Sequence, residues 1–349
     1  MDSENILRQL PGALLPWYLE HKRDLPWRRD RDPYHVWLSE IMLQQTRVEA
    51  VKGYYARFLD KLPTVEALAS ADDDELHKLW EGLGYYSRVR NLKKAAQQIV
   101  ERHGGVFPTT HEEVSALAGI GPYTAGAICS IAFGLPTPAV DGNVLRVVSR
   151  LTDDDTPIDK PSFRKQITEE LAGVYPKQAG DFTQALMELG ATVCGPNRKP
   201  DCENCPCKDF CLGYARGSAA SLPVKKAKPQ RRIEDRTVFI LSCDGCYALC
   251  KRPDKGLLAG LWEFPNVSGN LSLTDAIAEV EKIGLKPKEI IRQVEKKHIF
   301  THIEWHMCGI YMDVKEQSGD FVWMPAEQIN AEAALPTAFR QFWEEIMYV

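Results

Sequence analysis

The chain has 349 residues, 44% of them hydrophobic, and a formal net charge of −5. That is enough apolar material for one large core or two ordinary ones. No stretch of roughly 18 apolar residues is available to cross a bilayer, so a membrane protein is excluded. The opening MDSENILRQLPG has no basic region followed by an apolar one, which makes the cytosol the expected compartment. Net acidity argues against nucleic acid only on average, because DNA meets a local patch and not a sum. The basic residues are in fact clustered: Lys22, Arg23, Arg28, Arg29 and Arg31; Arg88, Arg90, Lys93 and Lys94; Lys225, Lys226, Lys228, Arg231 and Arg232. Acidic runs at 72–75 and 153–155 offset them elsewhere.

In chain order, residues 1–215 read as short helices separated by caps and prolines. Asp32–Pro33 is an N-cap followed by proline at the first helical position. Thr110 and Glu113 have the spacing of a capping box. Pro122 opens a helix that runs to Gly134, and Lys160–Pro161 opens another. No alternating strand pattern occurs here, so the first domain is expected to be all-helical. Residues 216–235 are small, polar and basic, and read as a linker. A solvated tether and a DNA-contacting segment both fit that composition. From 236 to 349 the texture changes to an α/β domain. TVFILSC and YALCKR flank Asp244–Gly245, a hairpin signal. A helix near 274–283, an extended stretch over 298–314 and a last helix near Arg340 follow.

Ten cysteines are many for a reducing compartment, where structural disulfides are disfavoured. Cys194, Cys202, Cys205 and Cys211 form C-x7-C-x2-C-x5-C, with Cys207 inside the last interval. The surrounding CGPNRKPDCENCPCKDFC has almost no apolar residues with which to bury them. Four thiolates so close together suit iron–sulfur or zinc, and spacing alone does not choose between them. Cys243, Cys246 and Cys250 straddle the predicted hairpin without a fourth ligand and read as strand packing.

LAGIGPYTAGAI, residues 117–128, sets Gly119 and Gly121 around one hydrophobic residue and then opens a helix. Glycines allow close backbone approach, and a helix start offers free N–H groups to an anion. The pattern fits a DNA phosphate, and also fits an ordinary helix–helix turn. Asp141, in PAVDGNVLRVV, precedes the periodic Val144, Val147, Val148 and Leu151, so a helix cap is one reading of it. Glu40 has Val36, Trp37 and Leu43 as helical neighbours, so it is either a buried ion-pair partner or an acid kept protonated by desolvation.

Taken together these segments resemble the endonuclease III superfamily, whose usual first cysteine interval is one residue shorter. The resemblance implies a [4Fe-4S] cluster on Cys194, Cys202, Cys205 and Cys211, with Cys207 a bystander, bracing a loop whose Arg198 and Lys199 meet phosphates. It implies a helix–hairpin–helix over 115–134 that uses Gly119 and Gly121. Asp141 takes the place of the superfamily's aspartate, which stabilises the sugar cation as an N-glycosidic bond breaks. Position 123 is a lysine in the bifunctional endonuclease III branch. Tyr123 here implies a glycosylase without efficient strand cleavage.

SEIMLQQT, WEGLGYYSR and VDGN further resemble the MutY-type adenine glycosylases. That resemblance implies that Glu40 protonates adenine, while Asp141 supports the sugar cation with Asn143 and Tyr123 beside it. Gln45, Leu83 and Tyr85 would wedge into the duplex, and Arg23, Trp27, Arg28 and Gln184 would line the adenine pocket. The target base must leave the stack to reach both carboxylates. GLLAGLWEFP resembles the Nudix-like recognition domain of the same family. The Nudix glutamate box is reduced here to IAEVEKIGL, keeping Glu281 alone, so pyrophosphatase activity is not expected. Where the family reads 8-oxoguanine with Phe-Ser-His, this chain has Phe300, Thr301 and His302. A metal site on His298, His302 and His306 is the weaker alternative, with no acidic partner evident. The implied partner is double-stranded DNA with A:8-oxoguanine or A:G mispairs, bound by a nucleoid-associated monomer.

Overall fold

The structure is a computed structural model that describes residues 3–196, 199–226 and 230–347. It divides into two compact units: Met1–Ser70 with Arg90–Ala227, and Ala71–Val89 with Lys228–Val349. Arg198 and Lys228 lie outside the described residues.

The first unit is helical, with no strand among its described residues. Its helices begin with α1 (Ser3–His21), α2 (Pro33–Leu43), α3 (Val48–Lys61) and α4 (Val65–Ser70). The second unit then contributes α5 (Asp73–Leu79), and α6 (Ser87–His103) follows. The first unit continues with α7 (His111–Ser115), α8 (Pro122–Phe133), α9 (Gly142–Thr152), α10 (Pro161–Ala172), α11 (Ala179–Thr192) and the short α12 (Leu212–Ala215). The predicted caps are in place. Asp32 accepts from the amides of Tyr34 and His35, and the Thr110 hydroxyl accepts from that of Glu113. Gly134 ends α8 in the left-handed region at φ 69°, a conformation that costs glycine little. The core gathers Leu7, Leu10 and Leu14 of α1, Val144 and Val148 of α9, and Phe182 and Leu186 of α11.

The helices α2 and α8 are apolar nearly all round, with Tyr34, Val36–Met42 and Thr124–Ile131 buried, so neighbours surround them. Glycines set the approach. A Cβ on Gly126 would lie 2.1 Å from the Pro138 carbonyl oxygen, and one on Gly180 would lie 2.9 Å from that of Ser130. Glycine at these positions lets α8 pack tightly against both the segment before α9 and α11.

The second unit is built on a seven-stranded mixed sheet: β1 (Arg232–Cys243), β2 (Cys246–Lys251), β3 (Trp262–Glu263), β4 (Asn266–Ser268), β5 (Pro287–Ile299), β6 (Ile303–Val314) and β7 (Val322–Pro325). The main order is β3-β2-β1-β6-β5, with β1 and β6 parallel and β4 and β7 pairing with β1 and β2. Residues 237–241 of β1 are buried on both faces, which is why TVFIL reads as an unbroken apolar run. Phe239 and Leu241 meet α13 (Leu273–Lys282) through Ala276 and Val280. Val238 and Ile240 pack on the opposite side. Their cluster includes Ile329 of α14 (Ala326–Glu332) and Phe339, Phe342 and Trp343 of α15 (Thr337–Met347).

The hairpin at Asp244–Gly245 is as read: Cys243 pairs with Cys246, and both turn residues have positive φ, 49° and 77°. The stretch 298–314 is not one extended segment. It is cut at Phe300–His302, and β5 and β6 pair antiparallel on either side, His298 opposite Trp305. Most of β5 escapes a pattern reading because its charges alternate on an edge strand, where polar side chains guard the open edge. The histidine spacing therefore has no common face. His306 bonds Glu304 at 2.9 Å, an acidic partner unforeseen in the sequence, and His298 packs edge-on against Phe300 at 4.5 Å.

Residues 71–89 pack with the C-terminal segment, although they read as part of the helical half. Asp74 pairs with Lys251 at 2.8 Å, Lys78 Nζ donates to the Ala333 carbonyl at 3.1 Å, and Glu81 accepts from the Leu335 amide at 2.9 Å.

Candidate active site

A cleft of about 600 Å³ opens in the helical unit. Its lining brings together Glu40, Tyr123, Asp141 and Asn143 with Arg23, Trp27, Arg28 and Gln184, eight residues expected to serve adenine excision, and it includes Gln45, expected as a wedge. Three elements supply these side chains: α2 gives Glu40, the first turn of α8 gives Tyr123, and the start of α9 gives Asp141 and Asn143.

Glu40 is 6% exposed, and the Tyr123 hydroxyl donates to its Oε2. Burial pushes its carboxyl up to about 7. The tyrosine hydrogen bond opposes that rise, the negative charge of Asp141 adds to it, and Arg28 opposes it more weakly. The ion-pair reading of Glu40 does not hold, since its bonded partner is a neutral hydroxyl. Tyr123 is itself raised well above its ordinary value, by burial first and then by the Glu40 and Asp141 charges, so it stays a donor.

Asp141 is the helix cap that the sequence allows, and it also faces the cleft. Its Oδ1 caps α9, accepting from the amides of Asn143 at 2.9 Å and Val144 at 2.8 Å. Its Oδ2 accepts from Asn143 Nδ2 at 2.6 Å, which fixes the carboxylate plane beside the cleft. Burial raises its carboxyl, and those three hydrogen bonds hold the rise back. Behind it, Arg146 donates to Asn143 Oδ1 at 2.9 Å and to the Gly190 carbonyl at 2.7 Å.

Sequence reasoning missed Glu188. Its side chain is fully buried, accepting from Arg23 Nε at 2.7 Å and Arg28 Nη2 at 2.7 Å. Burial pushes its carboxyl up, but the hydrogen bonds from Arg23 and Arg28 more than offset this and hold it below its ordinary value. The legible signal was the one used for Glu40, an acid flanked by Leu186 and Leu189 in an apolar helix. The clamp fixes two cationic side chains at the cleft.

The remaining expected residues have other surroundings, and Gln45 is taken with them. Gly119 adopts φ +72°, and a Cβ there would meet Asn91 at 2.5 Å, while Gly121 is the N-cap of α8 and has no side chain to satisfy its amides. Free amides at that helix start are what an anion would meet. Gln45 is exposed and holds φ 59°, a rare conformation for a residue with a side chain. In the second unit, the turn 82–85 has positive φ at Gly82, Gly84 and Tyr85. Trp80 and Arg88 lock it through the Leu83 and Gly84 carbonyls. Tyr85 is 49% exposed and its hydroxyl lies 3.0 Å from Thr301 Oγ1. Leu83, expected as a wedge, is 7% exposed. Phe300 packs on Trp305 at 4.9 Å, and His302 is exposed.

Cys194, Cys202, Cys205 and Cys211 line one small cavity beside α9 and α11. Cys207 is fully buried and absent from that lining. Arg150 Nη1 donates to the Cys194 sulfur at 3.2 Å and to the Cys194 and Gly195 carbonyls at 3.1 and 3.0 Å. Among the described residues no three His, Cys, Asp or Glu side chains converge on a point that could hold a single metal ion.

Residues 38–172 match the family described as HhH-GPD superfamily base excision DNA repair protein, and 236–345 match a NUDIX domain. The adenine DNA glycosylase of Homo sapiens is 36% identical over 95% of this chain and 72% of its own length. That of Buchnera aphidicola subsp. Baizongia pistaciae is 33% identical over 88% and 86%. The chain belongs to the adenine DNA glycosylase family. As a member of that family it is a DNA repair enzyme whose chemistry is glycosidic bond cleavage. A solved thermostable thymine-DNA glycosylase shares the helical fold, at TM-score 0.54 and 30% identity over 62% of this chain and all of that one.

Proposed function

We propose that this adenine DNA glycosylase excises adenine opposite 8-oxoguanine, and opposite guanine, by hydrolysis without cutting the strand. The observation that carries the reading is the Glu40–Tyr123–Asp141 grouping in one buried cleft. Glu40, with a carboxyl near 7, is partly protonated at neutral pH and offers that proton to N7 of an extruded adenine. Tyr123 keeps that acid oriented. Asp141, fixed by Asn143, supplies negative charge to the sugar cation that forms as the bond breaks. Glu40, then a carboxylate, takes a proton from the incoming water. Tyr123 carries no amine, so no Schiff base forms at that position.

The Arg23–Glu188–Arg28 clamp gives the cleft a rigid polar wall against which a purine can be read. Tyr85 and Thr301, hydrogen-bonded and exposed, are the groups we assign to the opposing 8-oxoguanine, with Gln45 entering the duplex and His302 and Phe300 framing Thr301. The four cysteines line one cavity, and that all-thiolate set would hold a [4Fe-4S] cluster. Such a cluster would brace the 194–211 loop, and no chemical step passes through it. The protein works as a monomer on nucleoid DNA.

The test is single-turnover excision on a duplex with one adenine opposite 8-oxoguanine, resolved with and without hot alkali. Breaks that appear only after alkali are expected. Direct nicking of an oxidised-pyrimidine duplex, with the adenine left intact, would overturn the reading.

A further inference from the structure

Asp141 enters the cleft at the end of residues 135–140, a non-helical segment between α8 and α9. Much of what holds that segment comes from side chains. One of these contacts begins a longer path. The Ala139 amide donates to the Tyr175 hydroxyl at 3.4 Å, which lies 2.9 Å from Thr183 Oγ1. Thr183 donates to Ser130 Oγ at 2.8 Å, and Ser130 donates to the Ala127 carbonyl at 3.3 Å. Each hydroxyl accepts one bond and donates one, so the chain runs in a single direction from Ala139 to α8.

Thr183 is 1% exposed and Ser130 is fully buried. Buried hydroxyls add little net stability over apolar side chains of the same shape, and cost free energy when a bond is missing. The contact of α8 with α11 is already made by Gly180, whose place beside Ser130 leaves no room for a Cβ. The three hydroxyls are therefore not needed to join the helices. What they add is a fixed position for one amide, two residues before Asp141. Their other attachments touch the remaining walls, since Ser130 precedes the cleft residue Ile131 and Thr183 precedes Gln184.

We infer that Tyr175, Thr183 and Ser130 are positioning residues that set the Asp141 carboxylate against the Tyr123–Glu40 pair. The inference rests on the proposal that Asp141 and Glu40 carry the chemistry. A relay of this kind acts on the reacting geometry and leaves DNA binding alone, because none of the three hydroxyls lines the cleft. Misplacing a reacting group by about 1 Å costs on the order of 10²-fold in rate.

The experiment compares Thr183→Val, Thr183→Ser and Tyr175→Phe with the parent and with Asp141→Asn. Single-turnover excision at saturating duplex, duplex affinity and the pH–rate profile are read for each. Thr183→Val keeps the volume but deprives Tyr175 and Ser130 of their partner. It is expected to slow excision about 10- to 100-fold, with duplex affinity within about twofold of the parent. The alkaline limb of the profile should also move, because the Asp141 charge acts on Glu40. Thr183→Ser restores both rate and profile. Tyr175→Phe breaks the far end of the chain and reports the same slowing should the valine variant not fold. An unchanged rate in both, or a slowing that serine does not repair and the profile does not register, overturns the inference. Full excision by Asp141→Asn would instead sink the underlying reading of the site.

Discussion

The cleft and the Tyr85–Thr301 turn solve opposite problems. In the cleft the working groups are buried, and backbone elements hold them: α9 offers its first amides to Asp141, and α8 brings Tyr123 to Glu40. In the turn the groups are exposed, and a single hydrogen bond joins the two hydroxyls. Burial raises carboxyl values and makes each missing bond costly. Exposure leaves a group free to trade its protein partner for one on the DNA. The difference predicts large effects of small changes in the first region and small effects in the second.

The largest effect is expected at Asp141. Asn at that position keeps an oxygen for the two α9 amides but removes the charge, so folding should survive while excision drops by about 10²- to 10³-fold or more. Single-turnover rates and thermal melts on the same preparation separate the two. A melting point that fell together with the rate would mean that Asp141 is chiefly a helix cap, and would erase the contrast between the regions.

Acidity gives the next effect. Glu40 must be protonated to act as the acid, and its carboxyl sits near 7. Excision should therefore fall as pH rises through about 7, approaching about tenfold per pH unit well above it. Asp141 must be ionised, and its carboxyl is raised, so a second decline is expected at low pH. The raised Glu40 value also favours the folded state at low pH. That contribution is lost as pH rises through about 7, so Glu40→Gln should flatten the pH dependence of stability between about 4.5 and about 7. A flat rate between pH 6 and 9, from about one unit below that value to about two above it, would remove Glu40 from the acid role.

Most of the cleft was legible in the sequence because local signals coincide with it. Glu40 sits in an apolar stripe, Asp141 precedes a periodic helix, and Pro122–Tyr123 opens another. Glu188 carried the same signal as Glu40 and was passed over, since nothing local says that two arginines some 160 residues earlier converge on it. The second region was less legible for a related reason. Residues 71–89 have ordinary helical patterning, and only tertiary contacts such as Asp74–Lys251 assign them to the sheet-containing unit. The wedge role of Leu83 rests on the resemblance of WEGLGYYSR alone, and its low exposure, between Gly82 and Gly84 at positive φ, leaves no periodic trace. Phe300–His302 stood out by resemblance, but the break there was not legible because the residues on both sides are extended strand.

The smallest expected effect belongs to the exposed pair. Tyr85→Phe removes the hydroxyl that meets Thr301 and leaves the ring, the turn and its positive φ in place. A hydrogen bond between exposed neutral groups is worth about 0.5–1.5 kcal/mol, so a change of roughly two- to tenfold is the ceiling. It should appear in the preference for adenine opposite 8-oxoguanine over adenine opposite guanine, because the proposed partner of these hydroxyls is the opposing base. The rate of bond cleavage at saturating duplex should stay within about threefold, since the acid and the carboxylate belong to the cleft. Thr301→Ser keeps the hydroxyl and should leave the preference as it is, while Thr301→Val should match Tyr85→Phe. If Tyr85→Phe instead slowed cleavage as severely as Asp141→Asn on both duplexes, the turn would be part of the reaction machinery, and the separation of buried chemistry from exposed reading would fail.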